Sequence, residues 1–254
     1  MGLTLHYSLH HPSLPTLRAA RPLLTGLQKR AATFPFDSVS KLLSWHHEKD
    51  DPLLAIMHTH YAPGPHPGSM LETMPAELLF FVVSHPGAEP ARFGLARYQP
   101  TATLLFSDPD LPPPPGLDLD AEYPSNLPGL HWQTFCKTQY ASLTEHGGFD
   151  NFFTIHDGLC QLLDHAATLG LHPEVTDESE YFTHRDKEKL RAEIHRWNTL
   201  VAAVAGAVKD HYPNDSDALQ SPITADPTFE QLEAEGQHFL RRTPAKRPRR
   251  DSAN

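Results

Sequence analysis

Residues 132–170, WQTFCKTQYASLTEHGGFDNFFTIHDGLCQLLDHAATLG, decide the fold class of this chain. Alternate residues from Trp132 to Tyr140 share one face, which predicts a strand. After the pair Gly147-Gly148, apolar residues recur at spacings of three and four, which predicts an amphipathic helix. A strand that enters a helix through a glycine corner predicts that the two elements pack against each other.

The same patterns recur elsewhere in the chain. Strand periodicity or strand-length apolar runs occur near residues 3–9, 36–45, 78–83 and 92–98, and helical spacing covers 13–30 and 185–211. We therefore expect an α+β fold, with a mixed, largely antiparallel sheet of about five strands and three main helices, at 13–30, 149–169 and 185–211, packed mostly on one face. Pro22 lies inside the first helix and predicts a kink or a break there.

Proline content and charge indicate how the chain is organised. Residues 1–212 are expected to form a single α+β domain, with the Pro-rich residues 99–130 as one long surface excursion. Residues 213–254 are expected to hold a Pro/Ser/Asp linker, a short amphipathic helix that starts near Thr228, and a basic disordered tail. That helix is expected to dock on the body or on a partner.

Composition excludes some classes of function. The chain has 254 residues, 18 of them His, and a net charge of −10. Six basic residues and one acidic residue lie in 241–254, which leaves an acidic body with 15 basic and 30 acidic side chains. An acidic body repels phosphates, so duplex nucleic acid is not expected as its partner. Neither a secretory signal nor a membrane span is indicated, so we expect a cytoplasmic protein.

Cys136 and His156 form the sharpest catalytic hypothesis. A thiol needs a neighbouring imidazole or another positive group to become a nucleophilic thiolate at neutral pH. A hydrolase or transferase would then have its pocket at the strand, turn and helix of residues 132–160. The alternative is that Cys136 points into the core beside Trp132 and Tyr140, where a reduced thiol is inert.

A second group of residues suits an anionic or small ligand. Arg97, Lys137 and Gln139 lie on predicted strands, and the backbone amides of Gly147 and Gly148 lie at the start of a helix. These five are the predicted ligand-binding residues. The common nucleotide-binding and hydrolase motifs are absent from the sequence, so no cofactor is expected.

Histidine spacing raises a metal-binding alternative. His156 and Cys160 share one helix face, and His146 or Asp164 would have to add ligands. His58 and His60, with His66 and the pair His46-His47, form the other candidate set. The alternative for His156 is a hydrogen-bonded histidine in the core, and the alternative for the second set is an exposed loop whose histidines have no role. No metal ligand is therefore assigned. Asp177, Glu178 and Glu180 are expected to form a solvated turn before the last helix.

Several segments resemble a family of bacterial proteins of unassigned function. They are GLTLHYSL at 2–9, FGLARY at 93–98, WQTFCKTQYAS at 132–142, GGFDNFFTIH at 147–156, and the stretch from EYFTHRDKEKL to WNTLVAAVAGAVKD. The resemblance implies one folded unit over residues 2–210 and transfers no catalytic role. The leading expectation is a binding or interaction module for a protein or small ligand. A hydrolase or transferase and a His-based metal-binding protein are the alternatives.

Overall fold

A computed structural model describes residues 3–47, 49–50, 52–106, 121–211 and 221–242. The strands of this part of the chain are β1 (Thr4–His11), β2 (Ser38–Val39), β3 (Leu43–His46), β4 (His60–Pro63), β5 (Ser69–Thr73), β6 (Pro75–Ser84), β7 (Ala91–Tyr98), β8 (Thr101–Phe106), β9 (Tyr123–Pro124), β10 (Leu130–Lys137) and β11 (His172–Asp177). The α-helices are α1 (Leu17–Ala31), α2 (Pro52–Met57), α3 (Gly148–Thr168), α4 (Tyr181–His184), α5 (Lys187–His211) and α6 (Phe229–Arg242).

The strands form two sheets. The main sheet has seven strands in the order β11-β1-β10-β7-β6-β2, with β3 also paired to β6. A four-stranded sheet has the order β4-β5-β8-β9, and the described strand pairs of both sheets are antiparallel. The α+β class is confirmed, but a single mixed sheet of about five strands is wrong. Of the unforeseen strands, β4, β5, β9 and β11 bury no apolar side chain, so they lack the alternation on which the prediction depended, and β8 lies in the stretch expected to be a surface excursion.

The inner face of the main sheet carries the principal core. Leu5, Tyr7 and Leu9 of β1 are buried in alternation with more exposed residues. Helices α1 and α3 pack against each other, α1 also packs on β6 and β7, and α3 also packs on β11. Helix α1 runs without a break through Pro22, which lies on its exposed side. Solvent can hydrate the carbonyl group that loses its donor there, so the predicted break does not occur.

Helix α5 does not lie flat on the sheet as predicted. Leu190 and Ile194 near its start join the principal core, whereas its second half forms a small core of its own with α6. A Cβ atom at Gly236 of α6 would overlap the carbonyl oxygen of Thr199 in α5, so the absence of a side chain permits this close crossing. The expectation of three helices on one face is therefore wrong, because α5 finds an apolar partner in α6.

The Pro-rich residues 99–130 contain β8 and β9, so the described part of the expected excursion belongs to the second sheet. Residues 107–120, 212–220 and 243–254 lie outside the described residues, and with them the Pro112–Pro115 run, the first part of the predicted linker and most of the basic tail. The last part of that linker is described: Pro222–Ala225 form a 3-10 turn, and Ile223 is buried in the small core with α5 and α6. Within the described ranges, no helix combines the length and the apolar composition needed to cross a membrane.

Gly94 of β7 is predicted to be intolerant of a side chain. It pairs with Phe80, and an added Cβ would lie 2.5 Å from the Phe80 Cβ and 2.7 Å from the Leu79 carbonyl oxygen. G94A should therefore lower the free energy of unfolding, measured in urea, by about 2 kcal/mol or more. The control is G26A in α1, where an added Cβ makes only ordinary contacts at 3.6 Å and helix propensity improves. Equal effects of the two substitutions would contradict the packing described for Gly94.

Candidate functional site

His156 lies at the centre of a buried polar network. Its Nδ1 atom is 3.0 Å from the hydroxyl of Thr138, and its Nε2 atom is 3.3 Å from both a carboxylate oxygen of Asp177 and the hydroxyl of Ser179. The ring is fully buried in α3. The network therefore ties α3 to the end of β10, to β11 and to the turn before α4.

The carboxylate of Asp177 is the acceptor of this network. It accepts hydrogen bonds from the hydroxyl and amide of Ser179 and from the amide of Phe182. Burial alone would raise its pKa, but the hydrogen bond and charge of His156 and the bonds from Ser179 and Phe182 outweigh burial and hold the pKa well below its usual range. The predicted solvated turn is thus wrong for Asp177, because this side chain is buried at the end of β11.

The structure does not pair the Cys136 thiol with His156. Cys136 donates to the carbonyl oxygen of Glu89 at 3.1 Å, and the hydroxyl that reaches His156 belongs to Thr138, two residues further along. Burial raises the pKa of Cys136 far above its ordinary value, and the nearby Glu89 raises it further. The thiol is therefore held protonated in the core, which is the inert alternative that the sequence left open.

Cys160 completes a group with His156 and Asp177. One ligand atom from each residue lies within 4.8 Å of the other two, and all three side chains are buried. Burial raises the pKa of the Cys160 thiol, and the carboxylate of Asp177 raises it further. Since the carboxylate and imidazole are already hydrogen-bonded within the protein, we interpret this group as a core network and not as a metal site.

The predicted ligand-binding residues are not brought together. Arg97 forms a 3.0 Å ion pair with Glu77, and its neighbour Ala96 pairs with His131 near the start of β10. Lys137 is at the other end of β10, about 20 Å away at the rise of an extended strand. Arg97 and Lys137 cannot therefore contact one small ligand from these positions.

The remaining three residues of that prediction serve the fold. Gln139 is buried, accepts a hydrogen bond from the amide of Leu3 and donates one to the side chain of Asn198. Gly147 and Gly148 have φ values of +105° and +71°, and their amides donate to the carbonyl oxygens of Thr144 and Leu143. These amides are occupied by the turn that begins α3. A role in ligand binding remains a prediction for all five residues.

The exposed loop expected around His58 is wrong for this residue, which lies in the core. Its ring is buried and stacks on Trp132 with 4.1 Å between ring centroids. Burial and the charge of Arg92 lower its pKa to about 4, against an opposing effect of the Gln133 backbone, and neither ring nitrogen makes a hydrogen bond of normal geometry within the described residues. His58 is therefore a neutral core aromatic at physiological pH.

The outer face of the main sheet remains open over β11, β1 and β10. Cross-strand pairing places nine outward residues there in three rows, namely His172-His10-His131, Glu174-Ser8-Gln133 and Thr176-His6-Phe135. All nine are exposed or half-buried. Because alternate residues of each strand point to opposite faces, the burial of Leu5, Tyr7 and Leu9 brings this polar set to the surface.

A cleft of about 460 Å³ crosses this face. The outward residues of the three strands form its floor, and Ile56, Met57 and Tyr61, from α2 and β4, line it from the side. A second recess of about 370 Å³ adjoins the cleft, shares four lining residues with it, and is also lined by His10, His60 and His131. This open face is the candidate functional site.

Sequence reasoning missed this site although part of its signal was visible. The alternation of Leu5, Tyr7 and Leu9 with polar residues identified the first strand, and the same alternation implies that His6, Ser8 and His10 share the opposite face. The strand at 172–177 was not recognised. Without it, the alignment of histidines from three strands had no basis.

Comparisons of the chain with protein-family models, with curated proteins and with solved structures find no match.

The buried pair of His156 and Asp177 should contribute strongly to stability. We expect D177N to lower the free energy of unfolding in urea at neutral pH by about 2–4 kcal/mol, because it leaves a polar core network without its charged acceptor. The control is D164N, since Asp164 forms a more exposed ion pair with Arg185, worth less than about 1 kcal/mol. A D177N protein as stable as D164N would contradict the role assigned to the pair.

The neutral state of His58 predicts a pH dependence of stability. Its folded-state pKa of about 4 lies below the ordinary value of 6.5, so its contribution is complete above pH 6.5 and is lost as the pH falls towards 4. The loss amounts to about 3 kcal/mol at 1.36 kcal/mol per pKa unit.

Replacing His58 by Phe should remove this component of the pH profile while keeping the stacking on Trp132. Unfolding free energies of H58F and the native chain between pH 4 and 7 test this, with H47F as the control for losing an exposed imidazole. Parallel profiles for H58F and the native chain would show that His58 titrates normally.

Proposed function

We propose that this protein is a binding protein, and that the cleft on the open sheet face holds a small ligand with hydrogen-bonding groups and an apolar part. The observation that carries the proposal is the combination, in one cleft of about 460 Å³, of a polar floor with an apolar wall. The volume lies within the range of small-molecule sites, and a few convergent polar groups among apolar side chains are typical of them.

The floor supplies both donors and acceptors. Ser8 has a hydroxyl, Gln133 has an amide, and Glu174 has a carboxylate, all in one cross-strand row. The hydroxyl of Ser8 is 3.4 Å from the carboxylate of Glu174, a long contact that leaves both groups available to a closer partner. A ligand with donor and acceptor groups would be oriented by this row.

Exposed apolar side chains of the cleft would favour ligand binding. Ile56, Met57 and Phe135 are 58%, 52% and 48% exposed, although burial of such side chains is favourable. With Tyr61 they are large side chains that line the cleft, Phe135 from the floor and Ile56, Met57 and Tyr61 from the side. A ligand that covers them gains the hydrophobic free energy that folding leaves unused.

The positions of the predicted catalytic residues favour binding over catalysis. Cys136 and His156 lie in the core, and neither lines the cleft. The groups that do line it are suited to hydrogen bonding and apolar contact. The hydrolase or transferase hypothesis therefore gains no support from the arrangement of these two residues.

A fragment screen by nuclear magnetic resonance tests the proposal. Small aromatic acids, amides and amines should shift the backbone amide resonances of residues 6–8, 56–61 and 133–135 together. F135A should raise the dissociation constant of such fragments about fivefold, since it removes about 1 kcal/mol of apolar contact. The control is V204A on α5, an apolar side chain that is 43% exposed outside the cleft lining.

Two results would refute the proposal. The first is a set of bound fragments whose shifts map to other parts of the surface. The second is an equal loss of affinity in F135A and V204A, because the cleft would then contribute nothing specific.

A further inference from the structure

The cleft and the recess of the open face meet at four shared residues, Ser8, Tyr61, Gln133 and Glu174. We call this meeting point the junction. Its side chains offer a hydroxyl group, a phenol ring, a carboxamide and a carboxylate. A ligand in either space therefore lies beside the same carboxylate.

The fixed charge of the two spaces is negative. Among the described residues that line them, Glu174 is the one carboxylate, and no lysine or arginine is present. Lys137 lies two residues beyond Phe135 on β10 and lines neither space. The whole chain has a net charge of −10. A cleft lined by one sign of charge concentrates ligands of the opposite sign, so this site favours cations.

The histidines of the recess do not reverse this charge at pH 8. Burial lowers the pKa of His60, and burial also lowers the pKa of His131. The hydrogen bond to Pro128 and the carboxylate of Glu174 act on His131 in the opposite direction, with smaller effects. The negative charge of Glu174 therefore reaches the recess as well as the cleft. An unperturbed imidazole, with a pKa of about 6.5, is also uncharged at pH 8.

The junction is suited to a group with several N–H donors. The hydroxyl of Ser8 lies 3.4 Å from the carboxylate of Glu174, and Gln133 pairs with Ser8 from the neighbouring strand. Glu174 is exposed, and this long contact is its hydrogen bond within the described residues. A primary ammonium group has three N–H donors, which the carboxylate, the hydroxyl oxygen and the amide oxygen can accept. Tyr61 adds an aromatic ring, a group that attracts cations.

The apolar side chains lie to one side of the junction. Phe135 is two residues beyond Gln133 on β10, about 7 Å along the strand at the rise of an extended chain. Ile56 and Met57 line the same cleft, and none of these three apolar residues lines the recess. A ligand with its ammonium group at the junction would thus carry its apolar part about 7 Å away, roughly the reach of three methylene groups and a phenyl ring.

We propose that the cleft selects primary amines in which a short chain joins the ammonium group to an apolar part, and that Glu174 determines this preference. The inference rests on the proposed binding function and narrows its ligand to a monocation. Glu174 pairs with the charge, Ser8 and Gln133 accept the other N–H groups, and the apolar part lies against Phe135.

Three compounds that differ only in their polar group test the proposal, namely 3-phenylpropylamine, 3-phenylpropanol and 3-phenylpropanoate. Their dissociation constants are measured for the full chain at pH 8 by nuclear magnetic resonance, from the backbone amides of residues 6–8 and 133–135. The amine should bind about fivefold more tightly than the alcohol, which is the scale of a partly exposed ion pair, and the propanoate should bind most weakly. The preference should shrink between about 20 mM and about 500 mM NaCl, because salt screens exposed charges.

The variant E174Q separates the charge of the cleft from its shape. It should raise the dissociation constant of the amine about fivefold and leave that of the alcohol unchanged. The matched control is E230Q, which makes the same change in net charge at an exposed position of α6 outside the cleft. Circular dichroism and thermal unfolding should match for the native chain and both variants, since both side chains are exposed.

A methylated ligand separates hydrogen bonding from charge. The N,N,N-trimethyl derivative of 3-phenylpropylamine keeps the positive charge but has no N–H donor. It should bind about threefold more weakly than the primary amine, because the acceptors of the junction lose their donors.

Each contrary result has a separate meaning. Equal affinity of the amine and the alcohol at the cleft would overturn the selectivity and leave the proposed binding function intact. Equal weakening of amine binding by E174Q and E230Q would assign the preference to the net charge of the chain and not to Glu174. Binding of the trimethyl derivative as tightly as the primary amine would overturn the choice of primary amines. Absence of binding at the cleft by every compound would count against the proposed function itself.

Discussion

The cross-strand register of β1 is the constraint on which the rest of the structure depends. This strand pairs with β10 on one side and β11 on the other, so its two faces determine what the sheet buries and what it presents. Leu5 and Tyr7 point to the helices, whereas His10 points outward. A slip of one residue would exchange these faces, burying histidines and exposing leucines. The cost of that exchange fixes the register and, with it, the open polar face.

The buried network around His156 stabilises the same register of β1, β10 and β11, at the end of the sheet where Thr138 and Asp177 lie. Asp177 pairs with Leu5 of β1 and also accepts the contact from His156, while Thr138 anchors the ring beside the last residue of β10. A polar group that loses its partner in the core is costly, so each contact in this network restricts how β11 and α3 can sit. The chemistry that first suggested a catalytic site therefore serves the fold, and it does so directly behind the surface proposed to bind ligands.

The candidate site exists because the outer face of the sheet is covered unevenly. His58 stacks on Phe80 and Trp132, and Tyr98 donates to the carbonyl oxygen of His58, so the segment of α2 and β4 is anchored to residues of β6, β7 and β10. Beyond it, the outward residues of β11 and β1 stay accessible. The step between the covered and the open part forms the cleft, with exposed apolar side chains on the covered side and polar ones on the floor.

The sequence by itself determined the α+β class, four of the five strands predicted from apolar periodicity and the three long helices, because each is set by the burial of a segment's own side chains. The fifth predicted strand, at 36–45, is divided into β2 and β3 in the structure, and the sequence left Cys136 open between a catalytic pair and the core. Only the tertiary structure decided that β11 exists, that a second sheet forms, that α5 packs with α6, and that Thr138 instead of Cys136 meets His156. Residues 172–177 carry one strongly apolar side chain, Val175, and become a strand through pairing with β1. Local patterns cannot report such pairing, since it joins residues more than 160 positions apart in the chain, and the row of histidines depends on it.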